Sequence, residues 1–233
     1  MIKHILKIND IPAILWGDKS DKLFIAVHGN MSHKADEVIV ILAEEVISKG
    51  YQVLSFDLPE HGDRKHESYA CKVGNCVQDL NTVMNYAKSL SNSISLFACS
   101  MGAYFSLLEY SHTPLKQCLF LSPVVNMERI INNMMIWFNI SESKLKIQKE
   151  IPTPIGQTLY WDYYCYVKKH PIVTWNNPTS ILYGSKDTLC EFDIISEFAE
   201  NFSCDLQVME NGEHYFHTVQ QLQYFRHWLK EHI

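Results

Sequence analysis

No stretch of this sequence approaches the roughly 18 consecutive apolar residues that a bilayer-spanning helix requires, so no membrane span is expected. Basic residues are the minority, 20 Lys and Arg against 26 Asp and Glu, and they form no dense run. A net charge of −6 without a basic stripe argues against a nucleic-acid partner and against a polybasic membrane patch. There is no internal repeat and no low-complexity tract, which removes solenoid and disordered architectures. The seven cysteines (Cys71, Cys76, Cys99, Cys118, Cys165, Cys190 and Cys204) show no disulfide framework, because the count is odd and several lie inside apolar runs. They read as free thiols in a reducing compartment. The opening Met1-Ile-Lys-His-Ile-Leu-Lys lacks the uninterrupted apolar core of a secretion signal, so the cytoplasm is the expected location.

What is present is an ordinary globular composition, 47% hydrophobic and 20% charged over 233 residues, which fits one domain with room for an insertion. Short apolar runs alternate with longer amphipathic ones, the signature of a mostly parallel sheet with crossover helices. Residues 2–8 and 11–16 predict a hairpin across Asn9-Asp10. Residues 23–28 (LFIAVH) are almost continuously apolar, as a strand covered on both faces must be. Further strands are expected at 51–57, 94–99, 117–122, 180–184 and 205–210. Helices are expected at 33–49, 75–90, 101–110, 192–202 and 216–232, the first closed by Gly50. The segment at about 126–178 breaks this rhythm, with helix-like pieces, Pro152 and Pro154 close together, and no convincing strand. It predicts a helical cap insertion between the sixth and seventh strands of a roughly eight-stranded α/β fold.

The chemistry concentrates at Ala98-Cys99-Ser100-Met101-Gly102, where an apolar strand passes to a helix with almost no loop. A serine on such a bend is pushed out of the sheet, with its hydroxyl at the helix N-terminus. Small residues two before and two after leave room for neighbouring backbone, and the helix amides supply positive potential for an anionic intermediate.

With its context, the chain resembles the α/β-hydrolase family over nearly its whole length. A His-Gly pair, His28-Gly29-Asn30, ends the third strand. Asp57-Leu-Pro59-Glu-His61-Gly62 follows the fourth, and the serine bend follows the fifth. Tyr183-Gly184-Ser185-Lys186-Asp187 places an acid beyond the seventh strand, and Gly212-Glu213-His214-Tyr215-Phe216 places a histidine beyond the eighth. The order Ser, Asp, His is that of the family. Two positions depart from its pattern: Ala98 stands where a glycine is usual, and Cys99 where a histidine is usual.

The resemblance implies a Ser100 nucleophile, a His214 base and an orienting Asp187, with Glu191 and Asp193 as lesser acids. It implies an oxyanion hole from the backbone amides of Asn30 and Met101. His28 and His61 read as loop-holding residues. His61, Asp63 and His66 fit no familiar ligand spacing, so no metal is implied, and no organic cofactor either. Cys71 and Cys76 read as two ordinary thiols, and Cys99 as a packing residue facing the interior. The aromatic-rich insertion offers Trp137 and Trp161 as walls of a substrate pocket, or alternatively as groups packing the insertion onto the body. The implied reaction is hydrolysis of an ester, thioester or related acyl bond of a small-molecule substrate through an acyl-serine. A serine at the bend argues against the dehalogenase and epoxide-hydrolase branches. A peptidase, an acyltransferase or a non-catalytic ligand-binding module on the same fold are the alternatives.

Overall fold

The computed structural model describes residues 1–233. Its strands are β1 (Lys3–Ile8), β2 (Ile11–Trp16), β3 (Lys22–Val27), β4 (Gln52–Phe56), β5 (Ser93–Cys99), β6 (Cys118–Leu121), β7 (Glu150–Pro152), β8 (Thr158–Tyr160), β9 (Thr179–Gly184) and β10 (Asp205–Met209). Its helices are α1 (Glu37–Ile47), α2 (Val73–Leu90), α3 (Met101–Glu109), α4 (Met127–Trp137), α5 (Glu142–Gln148), α6 (Trp161–Lys169), α7 (Phe192–Asn201) and α8 (Val219–His232). Eight strands form one sheet in the order β1-β2-β4-β3-β5-β6-β9-β10. Only β2 runs against the others, pairing antiparallel with β1 and β4. The carboxyl ends of β3, β4, β5, β6, β9 and β10 therefore share one edge.

Strand periodicity divides the core. In β3, Leu23, Ile25 and Val27 pack on one face while Phe24 and Ala26 pack on the other; in β5, Leu96 and Ala98 oppose Phe97. One face is covered by α1 and α8, the other by α2, α3, α7 and the segment between β6 and β9. Because both faces are covered, the central strands read as apolar runs with no polar alternation. No helix is long and apolar enough to cross a membrane.

Two expectations are corrected. The first helix begins at Glu37, four residues later than expected, because the Asp36 carboxylate accepts the Val38 amide and fixes the N-cap there. The segment at 126–178, expected to lack strands, holds β7 and β8 as an antiparallel pair registered at Ile151 and Leu159. Its turn closes by Thr153 donating its amide and its hydroxyl to the Gln157 carbonyl, with Gly156 at φ +80°. Three residues per strand are too few to print an alternation. The rest of the insertion packs through α4, whose buried Met127, Ile130, Ile131 and Met134 follow the i, i+3, i+4, i+7 spacing of a helix face.

Candidate active site

The connection between β5 and α3 is Ser100 alone. Its backbone stands at φ +50°, ψ −122°, a region that costs a non-glycine residue about 1–3 kcal/mol. Neighbouring backbone holds it there. The Ser100 amide donates to the Leu121 carbonyl at 3.1 Å, and its own carbonyl accepts from Ala103 at 3.1 Å and Val124 at 3.0 Å. Space is the second requirement. A Cβ on Gly102 would run into the carbonyls of Val27 and His28, and one on Gly29 would press on Ser100 Cβ at 3.1 Å. Serine at a helix N-cap ordinarily spends its hydroxyl on the helix amides. Ser100 makes no such bond, and its Oγ meets His214 Nε2 at 2.8 Å.

His214 is carried by the loop after β10, and its Nδ1 lies 2.7 Å from Asp187 Oδ2. The Asp187 side chain is fully buried, with Oδ1 accepting the amides of Leu189 (2.8 Å) and Cys190 (2.9 Å). The carboxylate thus reaches the ring already oriented by backbone. Acceptance at Oδ2 calls for a proton on Nδ1, which leaves Nε2 free to receive one from Ser100. The loops carrying the two residues are stitched together: Lys186 donates to the Gly212 carbonyl at 2.7 Å and Ser185 to Met209 at 3.0 Å. A Cβ on Gly184 would collide with the Gly212 backbone, so a larger residue there would part the acid from the histidine. Glu191 is engaged elsewhere, in an exposed pair with Arg129 at 2.7 Å that ties α4 to the start of α7.

Asn30 and Met101 both lie beside Ser100. The Asn30 amide has no acceptor in the protein, and Met101 is the first residue of α3, where amides lack intrahelical partners. The loop bearing Asn30 is braced by its neighbours. His28 is completely buried; its Nε2 accepts the Leu58 amide at 3.0 Å and its Nδ1 meets the Gly29 carbonyl at 2.7 Å. Burial lowers the His28 pKa to about 4, so it is neutral and structural. Asp57 accepts from the Lys34 amide (2.8 Å), Lys34 Nζ (2.6 Å) and the Asp63 amide (2.9 Å), joining the loops after β3 and β4. His61 contacts Asn30 Oδ1 at 3.1 Å.

Two cavities meet at Ser100. The larger, about 430 Å³, is walled by Met31, Val38, Cys99, His214, Tyr215 and Phe216. The smaller, about 110 Å³, is almost entirely apolar and lies under the insertion, against Met127, Ile130, Ile131, Met134, Tyr160 and Tyr163. Trp137 and Trp161 line neither cavity. Trp137 is the last residue of α4 and half exposed; Trp161 packs on the core at 6.0 Å from the Tyr164 ring. The wall comes instead from the Met/Ile face of α4, which the helical spacing of those four residues could have indicated. Cys99 is also corrected in part, since it forms cavity wall as well as packing. Burial, with Asp36 and Asp187 nearby, pushes its thiol up to about 12 and keeps it protonated.

Asp187, Cys190 and His214 present potential metal-ligand atoms within 4.8 Å of one another. The carboxylate and imidazole already bond to each other, and burial keeps the Cys190 thiol protonated, so the set reads as a hydrogen-bonded relay and not as a metal centre. The relay can move a proton from a hydroxyl to an imidazole held by a fixed carboxylate.

The sheet order, the single-residue bend after its central strand and the loops at its carboxyl edge define an α/β-hydrolase fold. Solved structures superpose on it over almost the full length. Est1E from Butyrivibrio proteoclasticus, with ferulic acid bound, is similar at a TM-score of 0.82 and 19% identity, over 98% of this chain and 97% of that one. Alpha/beta hydrolase domain-containing protein 10 from mouse gives 0.78 and 14%, over 99% and 98%. An esterase from Pyrococcus furiosus gives 0.70 and 21%, over 99% and 88%. No protein-family model matches the sequence, and no curated protein matches it.

Proposed function

We propose that this chain is a serine hydrolase that cleaves an ester, thioester or related acyl bond of a small molecule through an acyl-serine. The observation that carries this reading is the unbroken Ser100–His214–Asp187 hydrogen-bond chain on a bend that leaves the serine hydroxyl uncapped. Ser100 Oγ attacks the acyl carbon while His214 Nε2 takes its proton. Asp187 holds the ring tautomer and stabilises the imidazolium. The amides of Asn30 and Met101 receive the developing oxyanion; losing one such donor costs on the order of 3 kcal/mol of barrier. His214 then protonates the leaving group, and water repeats the sequence to release the acid.

The small cavity under residues 126–178 supports a short acyl or aryl group on that side, and the segment acts as a cap that selects substrate. The ferulic acid bound to Est1E, a small aromatic acid, fits the same size class. Seven free thiols support a cytoplasmic setting.

A fluorophosphonate probe followed by peptide mass mapping tests the reading. The adduct is expected on Ser100 alone, and Ser100→Ala should abolish both labelling and ester turnover while the protein stays folded. An adduct on another residue, or turnover by the alanine variant, would overturn it.

A further inference from the structure

A second reactive cluster lies beside the first. Cys71 sits just before α2 and Cys76 in its first turn, with their sulfurs 3.6 Å apart. His61, from the loop after β4, directs Nδ1 at the Pro59 carbonyl (2.8 Å) and Nε2 at Asn30 Oδ1 (3.1 Å). Asn30 spends its Nδ2 on Gln157 Oε1 at 2.9 Å, so the oxygen facing His61 can only accept. With both ring nitrogens set against oxygen atoms, this setting favours a proton on each. Its countercharge is at hand in Cys71. The hydrogen bond with Cys76 and the nearness of His61, acting against burial, bring the Cys71 thiol down to about 6. Burial alone would lower His61, but Cys71, the Pro59 carbonyl and Glu60 outweigh it and raise the imidazole. Burial and its charged neighbour push Cys76 far up, so Cys76 is the protonated member. Cys71 is thus the more acidic thiol of the pair, Cys76 the one that keeps its proton, and His61 the base raised beside them. Cys71 also lines the small cavity with Ser100, which gives a small solute a route to the thiolate, whereas Cys76 is fully buried.

We infer that Cys71 and Cys76 form an oxidisable dithiol, responsive to hydroperoxides, that switches the adjacent Ser100 site. The Cys71 thiolate attacks the peroxide oxygen, the O–O bond breaks, and the leaving hydroxide or alkoxide takes a proton from His61. Sulfur is oxidised by two electrons and the peroxide reduced by two. Cys76 then attacks the Cys71 sulfenic sulfur, the S–O bond breaks, and water leaves with the Cys76 proton. A disulfide results, which requires the sulfurs to close by about 1.5 Å toward the length of that bond.

Oxidation removes the anion that keeps His61 charged. Neutral His61 has one donor for two acceptor oxygens, so it loses either Pro59 or Asn30, and the loop presenting the Asn30 amide loosens. The switching of Ser100 rests on the proposed function; the dithiol chemistry does not.

The test treats reduced protein with hydrogen peroxide, maps the cysteines by peptide mass, and follows the rate of fluorophosphonate labelling at Ser100. The expected result is a Cys71–Cys76 disulfide, labelling slowed about tenfold by the loosened oxyanion donor, and recovery with dithiothreitol. Cys76→Ala should stop at the Cys71 sulfenic acid and form no cross-link. If that variant fails to fold, Cys71→Ser serves for the cross-link, which it must also lose. Cysteines 71 and 76 remaining alkylatable while other thiols oxidise would overturn the inference. A disulfide that leaves Ser100 labelling unchanged would overturn the switching. Reduced protein that never labels would instead sink the hydrolase reading, and the peptide map would still decide the dithiol.

Discussion

The carboxyl edge of the sheet and the insertion above it are held by different forces. At the edge, position is set by backbone: the Gly102 Cα lies against the Val27 and His28 carbonyls, Gly184 against Gly212, and the Ser100 amide on Leu121. In the insertion, position is set by side chains, with Met127, Ile130, Ile131 and Met134 filling the space between α4 and the core. Backbone contacts tolerate no change of shape, while apolar packing tolerates exchange of similar volumes. Chemistry placed on the first and selection placed on the second would let substrate range change without disturbing the reacting groups.

Substitutions can break that division, and the largest effect is expected at the edge. Asp187→Asn should cut kcat by about 10⁴-fold with KM little changed, because the amide permits the wrong tautomer of His214. Steady-state kinetics at near-normal kcat would remove Asp187 from the relay. Acid should weaken the edge next. Burial depresses His28 from 6.5 to about 4, so the folded state resists a proton that the unfolded chain accepts. The stability is whole above about pH 6.5 and is lost as pH falls toward 4, by roughly 3 kcal/mol for this group. Denaturant unfolding across that range should show a steeper decline for wild type than for His28→Gln; equal slopes would refute the assignment.

Smaller effects belong to the insertion. Ile130→Ala should shift the chain-length preference across an ester series by about 1–3 kcal/mol in kcat/KM while Ser100 still labels. Loss of labelling would mean that the insertion positions the chemistry after all. Trp137→Ala, at an exposed helix end, should change stability and kcat/KM by no more than about 0.5 kcal/mol. A larger effect would return this side chain to the substrate path.

The same division governs what could be read from sequence. The strands of the body were legible because each is a buried apolar run ended by a short motif. The positions of Ser100, Asp187 and His214 were legible because Ser100 follows β5 directly and the other two lie in the short loops after β9 and β10. Contact between them was not, since 114 residues separate Ser100 from His214 and the fold alone closes that gap. The insertion was least legible. β7 and β8 are too short to print a pattern, and aromatic content points to Trp137 and Trp161, whereas the cavity is lined by Ile130 and Met134 on the inner phase of α4. The contact between His61 and Asn30 left no sequence trace, because it joins two loops by side chains 31 residues apart.

The left-handed backbone of Ser100 has a corollary for heat resistance. Glycine could occupy those angles without the steric penalty that serine bears. Ser100→Gly should therefore be more heat-resistant than the wild type, a gain that thermal unfolding would read directly. Under the proposed function, a serine at this position serves the chemistry against the preference of the fold.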